Sequence, residues 1–337
     1  MSSNNKRFYD VLNPNDFTSH RKPLIEKIGK RLEGTVIAYT ASPYHPLPLL
    51  SQQDIPFFDI MIKGSTDSEN CFLILSSPGG DGNVAEKIII MFRQYFKHFT
   101  VIVPNYAKSA ATMIALGSDQ ILMGSFSELG PIDPQLILPG YATPIPAESF
   151  VDGLEIIRKR IIKNKDPVDM YIPALHNVRP EILAMSQAAI TNAKDFAEKY
   201  LKKFMLKKDP KQAIRVARLL SNGKQYKSHG QVIDFNEAKN VLKLNASMID
   251  PSSQLWEDIW ELYLRSIQLL MVNQAAGAAK LFESVTSSFV LNLQVQVIQR
   301  PPVGAPSQPP QVPSTIPKVP AKPEIQPSTQ ERPEQKK

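Results

Sequence analysis

Cysteine is almost missing from this chain: Cys71, inside the apolar run CFLIL, is the only one in 337 residues. A single thiol excludes an internal disulfide framework, makes a reducing compartment the default, and is expected here as a buried, inert side chain. Tryptophan is nearly as scarce, with two. No apolar run approaches the roughly 20 residues that cross a bilayer, so no integral membrane segment is expected. The opening MSSNNKRFYDVLNPND has no signal-peptide core, which points to a cytoplasmic protein. The sequence also lacks zinc-ligand spacing, a Walker loop and a dinucleotide fingerprint, and the expectation is no metal and no cofactor.

What is abundant is proline, with 29, and positive charge, with a formal net of +7. The charge is thinly spread. Part of it lies in the tail from Gln299, where Arg300, Lys318, Lys322, Arg332, Lys336 and Lys337 outnumber Glu324, Glu331 and Glu334. The basic runs RKRIIKNK and KKFMLKKDPK carry apolar residues at helical spacing, which reads as solvated helix faces and not as a nucleic-acid track. The tail holds 11 of its 39 residues as proline and is expected to be disordered, a solubilising segment or a partner-binding one.

Between these ends the pattern alternates. RKPLIEKIGKRL has helical periodicity, TVIAYT reads as a strand, and NCFLILSS as a buried strand ending in SPGGDG. Val84, Ile88, Phe92 and Tyr95 recur at helical spacing, FTVIVP is a strand, SAATMIALG a small-residue helix, and DQILMG a strand. Strands alternating with helices predict an α/β fold with a parallel sheet and right-handed crossovers. Helices are expected near 148–164, 179–206 and 210–221, and a long amphipathic helix over 252–285 with room for a break near Gly277. The expected organisation is an N-terminal arm to residue 20, a domain over 21–250, a helical extension over 251–298 that is either an oligomerisation element or an internal packing helix, and the tail from 299.

In a parallel sheet, ligands meet the chain just past the carboxyl ends of the strands, and both SPGG and AKSAA fall there. Gly79 and Gly80 allow backbone dihedrals that bring N–H groups close to a substrate oxygen. Ser109 opens a helix whose free N–H groups favour developing negative charge, and Ala110 and Ala111 leave space above its hydroxyl. On pattern alone Ser109 is either a helix cap or a nucleophile.

SPGGDG, then AKSAATMIALGSDQILM, then SELGPIDPQ resembles the Clp-fold serine proteases, and most of all the serine dehydrogenase proteinase family, relatives of signal peptide peptidase A. The resemblance covers about 21–250. It implies a ClpP/crotonase-like spiral of parallel strands and an intracellular serine peptidase that forms an acyl-enzyme on Ser109, with the N–H groups of Gly79, Gly80 and Ala110 as oxyanion hole. It also implies a peptide or protein substrate and a homo-oligomer. Where those proteases carry a histidine base this chain has Asp133, and His229 falls where they carry the acid, so the implied triad Ser109, His229, Asp133 has base and acid exchanged. A lysine dyad through Lys159 is the alternative, and Asp133 is equally suited to capping the turn before Pro134. Two other readings stand beside the peptidase: a catalytically silent peptide-binding scaffold on the same fold, and an acyl-CoA enzyme of crotonase type.

Overall fold

Strands whose two faces are both apolar must be covered on both sides, and that requirement dictates the architecture. The computed structural model describes residues 17–294 except 66, 139–142, 177, 224 and 227, with side chains from His20 onward. The tail from 299 and most of the expected N-terminal arm lie outside the described residues. Helix α1 (Phe17–Leu32) begins before the end of that arm and leads into β1 (Thr35–Ala41), α2 (Ile55–Lys63), β2 (Asn70–Ser76), α3 (Gly82–Tyr95) and β3 (His98–Val103). A short β4 (Tyr106–Ala107), α4 (Ala110–Leu116) and β5 (Gln120–Met123) complete the alternating part.

Strands β1, β2, β3 and β5 pair in parallel. Along β1 the side chains divide by alternation: Ile37, Tyr39 and Ala41 join the larger core with Phe58, Ile88 and Phe92, while Val36 and Ala38 join Leu24, Ile25 and Ile28 of α1 on the other face. Each such aliphatic side chain, fully buried, contributes about 1.5–3 kcal/mol. Helix α3 starts where Asp81 accepts the Asn83 amide at 2.8 Å. Cys71 is buried, and burial pushes its thiol well up, as an inert side chain requires.

After β5 the chain leaves the sheet for more than a hundred residues. It forms β6 (Glu128–Leu129), a hairpin of β7 (Gln135–Leu136) and β8 (Ile145–Pro146), α5 (Ala147–Lys159), α6 (Ile172–Leu175), α7 (Pro180–Lys203) and α8 (Pro210–Ser221). It returns as β9 (Ala246–Met248), parallel to β5.

The C-terminal part corrects the expectation of one helix over 252–285. Helix α9 (Gln254–Val272) ends, Gly277 takes φ 82°, and β10 (Ala278–Ser284) and β11 (Ser288–Asn292) form an antiparallel hairpin. β10 pairs antiparallel with β1, closing a seven-stranded sheet ordered β11-β10-β1-β2-β3-β5-β9. The alanines around Gly277 look helical by propensity, but β10 is paired on both sides, by β1 and β11, and all seven of its residues are buried. On α9, Trp256, Ile259 and Leu262 pack with Leu24, Ile25 and Ile28 of α1.

A buried ion pair ties this hairpin to the rest. Lys280 Nζ lies 2.7 Å and 2.9 Å from the two oxygens of Asp54, with neither side chain exposed. Burial raises the Asp54 carboxyl above its ordinary range against the pull of the ammonium. Removing one partner leaves an uncompensated buried charge. Lys280→Met should lower the unfolding free energy by about 3–5 kcal/mol in urea titration, and adding Asp54→Asn should recover most of it. In the single variant the carboxyl must stay protonated to stay buried, so stability should be highest at low pH and fall as the pH rises above the ordinary carboxyl range.

Candidate active site

The turns after β2 and β4 are lashed together by backbone hydrogen bonds. The Ser77 amide donates to Tyr106 O at 3.0 Å, and the Lys108 amide donates to Ser77 O at 3.0 Å. Gly79, at φ 101°, comes so close that a Cβ on it would stand 2.7 Å from Ser109 Cβ and 2.9 Å from the Ala110 nitrogen. Gly80, at φ 146°, is pressed on its other side by Leu50, whose nitrogen would lie 2.4 Å from an added Cβ. Only glycine fits at either position. Leu50 is itself a strap: its amide donates to Gly79 O at 2.8 Å and its carbonyl accepts from Asp81 at 3.0 Å.

Ser109 adopts φ 50°, ψ −120°, a conformation that side chains other than glycine rarely take, and its hydroxyl caps nothing. Its carbonyl accepts the Met113 amide at 3.0 Å. Thr112 holds the start of α4, donating to Ala107 O at 2.7 Å and accepting from the Gly130 amide at 3.1 Å.

The amides divide differently from the sequence-based expectation. Gly79 N–H donates to Ser77 Oγ at 3.1 Å, so its one hydrogen is already committed. No acceptor is recorded among the described residues for the N–H of Gly80 or of Ala110. Gly79 therefore makes room, and among the described residues the amides left without an acceptor are those of Gly80, which lines the same cleft as Ser109, and of Ala110.

Asp133 and His229, 96 positions apart, meet at 2.8 Å between Oδ1 and Nδ1. The Asp133 side chain is 3% exposed, and its second oxygen accepts from Gln135 Nε2 at 2.7 Å, a partner the sequence reading missed although IDPQ lay in plain view. An ionised carboxylate only accepts, so Nδ1 carries the proton and Nε2 keeps a free lone pair in the neutral ring. Ser109, Gly80, Asp133 and His229 all line one cleft of about 1010 Å³, with Met113, Ile132 and Phe196 among its apolar walls.

Lys159 does not reach this cleft. Its Nζ lies 3.7 Å from Glu155 on the same helix, with the side chain 57% exposed. Arg158 holds the Glu155 carboxyl down at about 2, which marks this face as a solvated charge cluster. The lysine-dyad alternative is thereby corrected: nothing desolvates that ammonium. Lys108 is no base either, because its Nζ is fully engaged with Glu128, Leu129 O and Gln231 O.

A family model described as a ClpP-like SDH-type serine proteinase matches residues 57–268, more than half of the chain. The uncharacterised protein MJ0137 of Methanocaldococcus jannaschii is 30% identical over 180 residues, covering 53% of this chain and 54% of that protein. MJ1495 of the same organism is 39% identical over 64 residues, covering 19% and 22%. The chain thus spans about half or less of the length of the curated relatives it matches. Among solved structures, a 1510-N membrane-bound stomatin-specific protease aligns with TM-score 0.40 and 14% identity over 62% of this chain and 79% of that one. The ClpP protease catalytic domain from Plasmodium falciparum aligns with TM-score 0.34 and 13% identity over 68% and 92%.

The hydrogen bond to Asp133 sets the tautomer of neutral His229. Long-range proton–nitrogen correlation spectra should show the proton on Nδ1. In Asp133→Ala the Nε2-protonated form should become substantial, and an unchanged tautomer there would detach the carboxylate from the ring.

Proposed function

The chain belongs to the ClpP-like SDH-type serine proteinase family, and from that premise we propose that it cleaves peptide bonds through an acyl-enzyme on Ser109. The observation that carries this reading is the His229–Asp133 pair opening onto the cleft that Ser109 lines. In this reading His229 Nε2 accepts the Ser109 proton as the hydroxyl attacks the substrate carbonyl. Asp133 orients the ring and offsets the imidazolium that forms. The oxygen that becomes negative is met by the N–H groups of Gly80 and Ala110, with Gly79 supplying the space. The proton then passes from His229 to the leaving amine, and water repeats the sequence on the acyl-enzyme to release the acid and restore the hydroxyl.

The backbone at Ser109 supports the same role. A conformation this uncommon persists only where its surroundings over-determine it, and here the turn turns the hydroxyl away from capping the helix. The β7–β8 hairpin lines the cleft through Gln135, Ile137 and Pro144 and offers an edge along which an extended peptide can pair.

Assembly is assigned to a different element from the one the sequence suggested. Among the described residues, none from 148 to 185 is buried, and Ile156, Ile162, Val168, Met170 and Ile172 stand exposed along this arm. So many exposed apolar side chains in one segment offer a surface that a second copy can cover. Charges placed on it, Ile162→Glu with Met170→Glu, should lower the molar mass seen by light scattering and leave the thermal midpoint unchanged; an unaltered mass would remove the arm from assembly.

Peptidase chemistry is tested with a fluorophosphonate probe. It should label Ser109 in the wild type and not in Ser109→Ala, and His229→Ala should slow labelling by about 10²- to 10⁴-fold. A folded wild type that takes no label would leave a peptide-binding scaffold.

A further inference from the structure

Lys108 touches both halves of the site without lining the cleft. Its side chain crosses the backbone at Gly130 so closely that a Cβ there would stand 2.6 Å from Lys108 Cδ. The ammonium then meets Glu128 Oε1 at 3.0 Å, Leu129 O at 3.1 Å and Gln231 O at 3.2 Å. An ammonium has three hydrogens and here has three acceptors, with the side chain 13% exposed. Nothing is left over for chemistry.

The placement of those acceptors is what matters. Lys108 precedes Ser109 directly, and Gln231 follows His229 by two residues. Between them runs β6, whose Leu129 exchanges backbone hydrogen bonds with Ile233 at 2.9 Å and 3.1 Å. The His229 turn closes on itself through the Gln231 amide, which donates to Ser228 O at 3.0 Å.

We propose that Lys108 is a positioning residue that clamps the His229 turn to the Ser109 turn and so sets the approach of imidazole to hydroxyl. This rests on the reading of Ser109 and His229 as nucleophile and base. Without the clamp, Asp133 still orients the ring, but the turn carrying it gains freedom relative to the serine. A displacement on the order of 1 Å in such a pair lowers reactivity by about 10²-fold. Lysine serves because one point charge can meet three acceptors converging from different directions; the planar fork of arginine cannot.

Lys108→Met tests this by the kinetics of inactivation with a fluorophosphonate. Its maximal rate should fall about 10²-fold while the half-saturating concentration holds, because the cleft walls are untouched. In a His229→Ala background the same substitution should add nothing further, since the clamp acts only through the ring. A full additional loss in that background, or no loss in the wild-type one, overturns the proposal. Should Lys108→Met fail to fold, Glu128→Gln should show a smaller fall with the same non-additivity. The clamp is also read without activity: hydrogen exchange over 228–233 should rise in Lys108→Met while β2 and β3 stay protected, and unchanged exchange there sinks it. If wild type and His229→Ala react at the same rate, the nucleophile–base reading fails instead, and the exchange experiment alone decides the clamp.

Discussion

The interlock between the turn after β2 and the turn after β4 is the constraint on which the rest of the site depends. Two backbone hydrogen bonds between Ser77 and the Tyr106–Lys108 segment bring them into register. Gly79 then packs against Ser109 at a distance no side chain allows. Neither turn is held by packing alone, since each sits at the open end of a strand. The hydrogen bonds supply direction, and the glycines supply closeness. Together they force Ser109 out of the helix-cap role its sequence position suggests and into an uncommon backbone conformation.

Outward from that interlock the supports form a chain. Leu50 lies along Gly79–Asp81, the Ser51 amide beside it donates to Asp54 at 3.0 Å, and Asp54 meets Lys280 in the fully buried pair. Lys280 stands on β10, the inner strand of the antiparallel hairpin, between β11 and β1. The hairpin near the C-terminal end of the described chain is thus connected to the double-glycine turn through four contacts. A buried ion pair gives little net stability, but it permits one geometry, and geometry is what the close approach of Gly79 to Ser109 requires. The long excursion between β5 and β9 works from the opposite side. It leaves Asp133 just after β6 and brings Ile233 back against Leu129, so that Asp133 and His229, 96 positions apart, share a 2.8 Å hydrogen bond.

Much of this architecture was legible in the linear pattern. Runs such as CFLIL and TVIVP announce strands buried on both faces, and the spacing of Val84, Ile88 and Phe92 announces the helix between them, because burial period and backbone period coincide. The antiparallel closure was not legible. AAGAAKLFES has the residues of a helix, and a lysine in its centre argues against a buried strand until Asp54, 226 positions away, is known to neutralise it. Nor was the cover of α9 legible, since an amphipathic stripe with two tryptophans looks the same whether another subunit or α1 lies against it.

By itself, the sequence determined the alternation of strands and helices and the two turns at their carboxyl ends, and through its motifs the family; these follow from local periodicity, steric demands on glycine, and residues close together in the chain. Only the tertiary structure decided which amides stay free beside Ser109, that Asp133 and His229 pair, that Lys159 stands in solvent, and that Lys108 is consumed as a strut. The pairing and the strut are hydrogen bonds between groups far apart in sequence, and a hydrogen bond, unlike a hydrophobic period, leaves no trace along the chain.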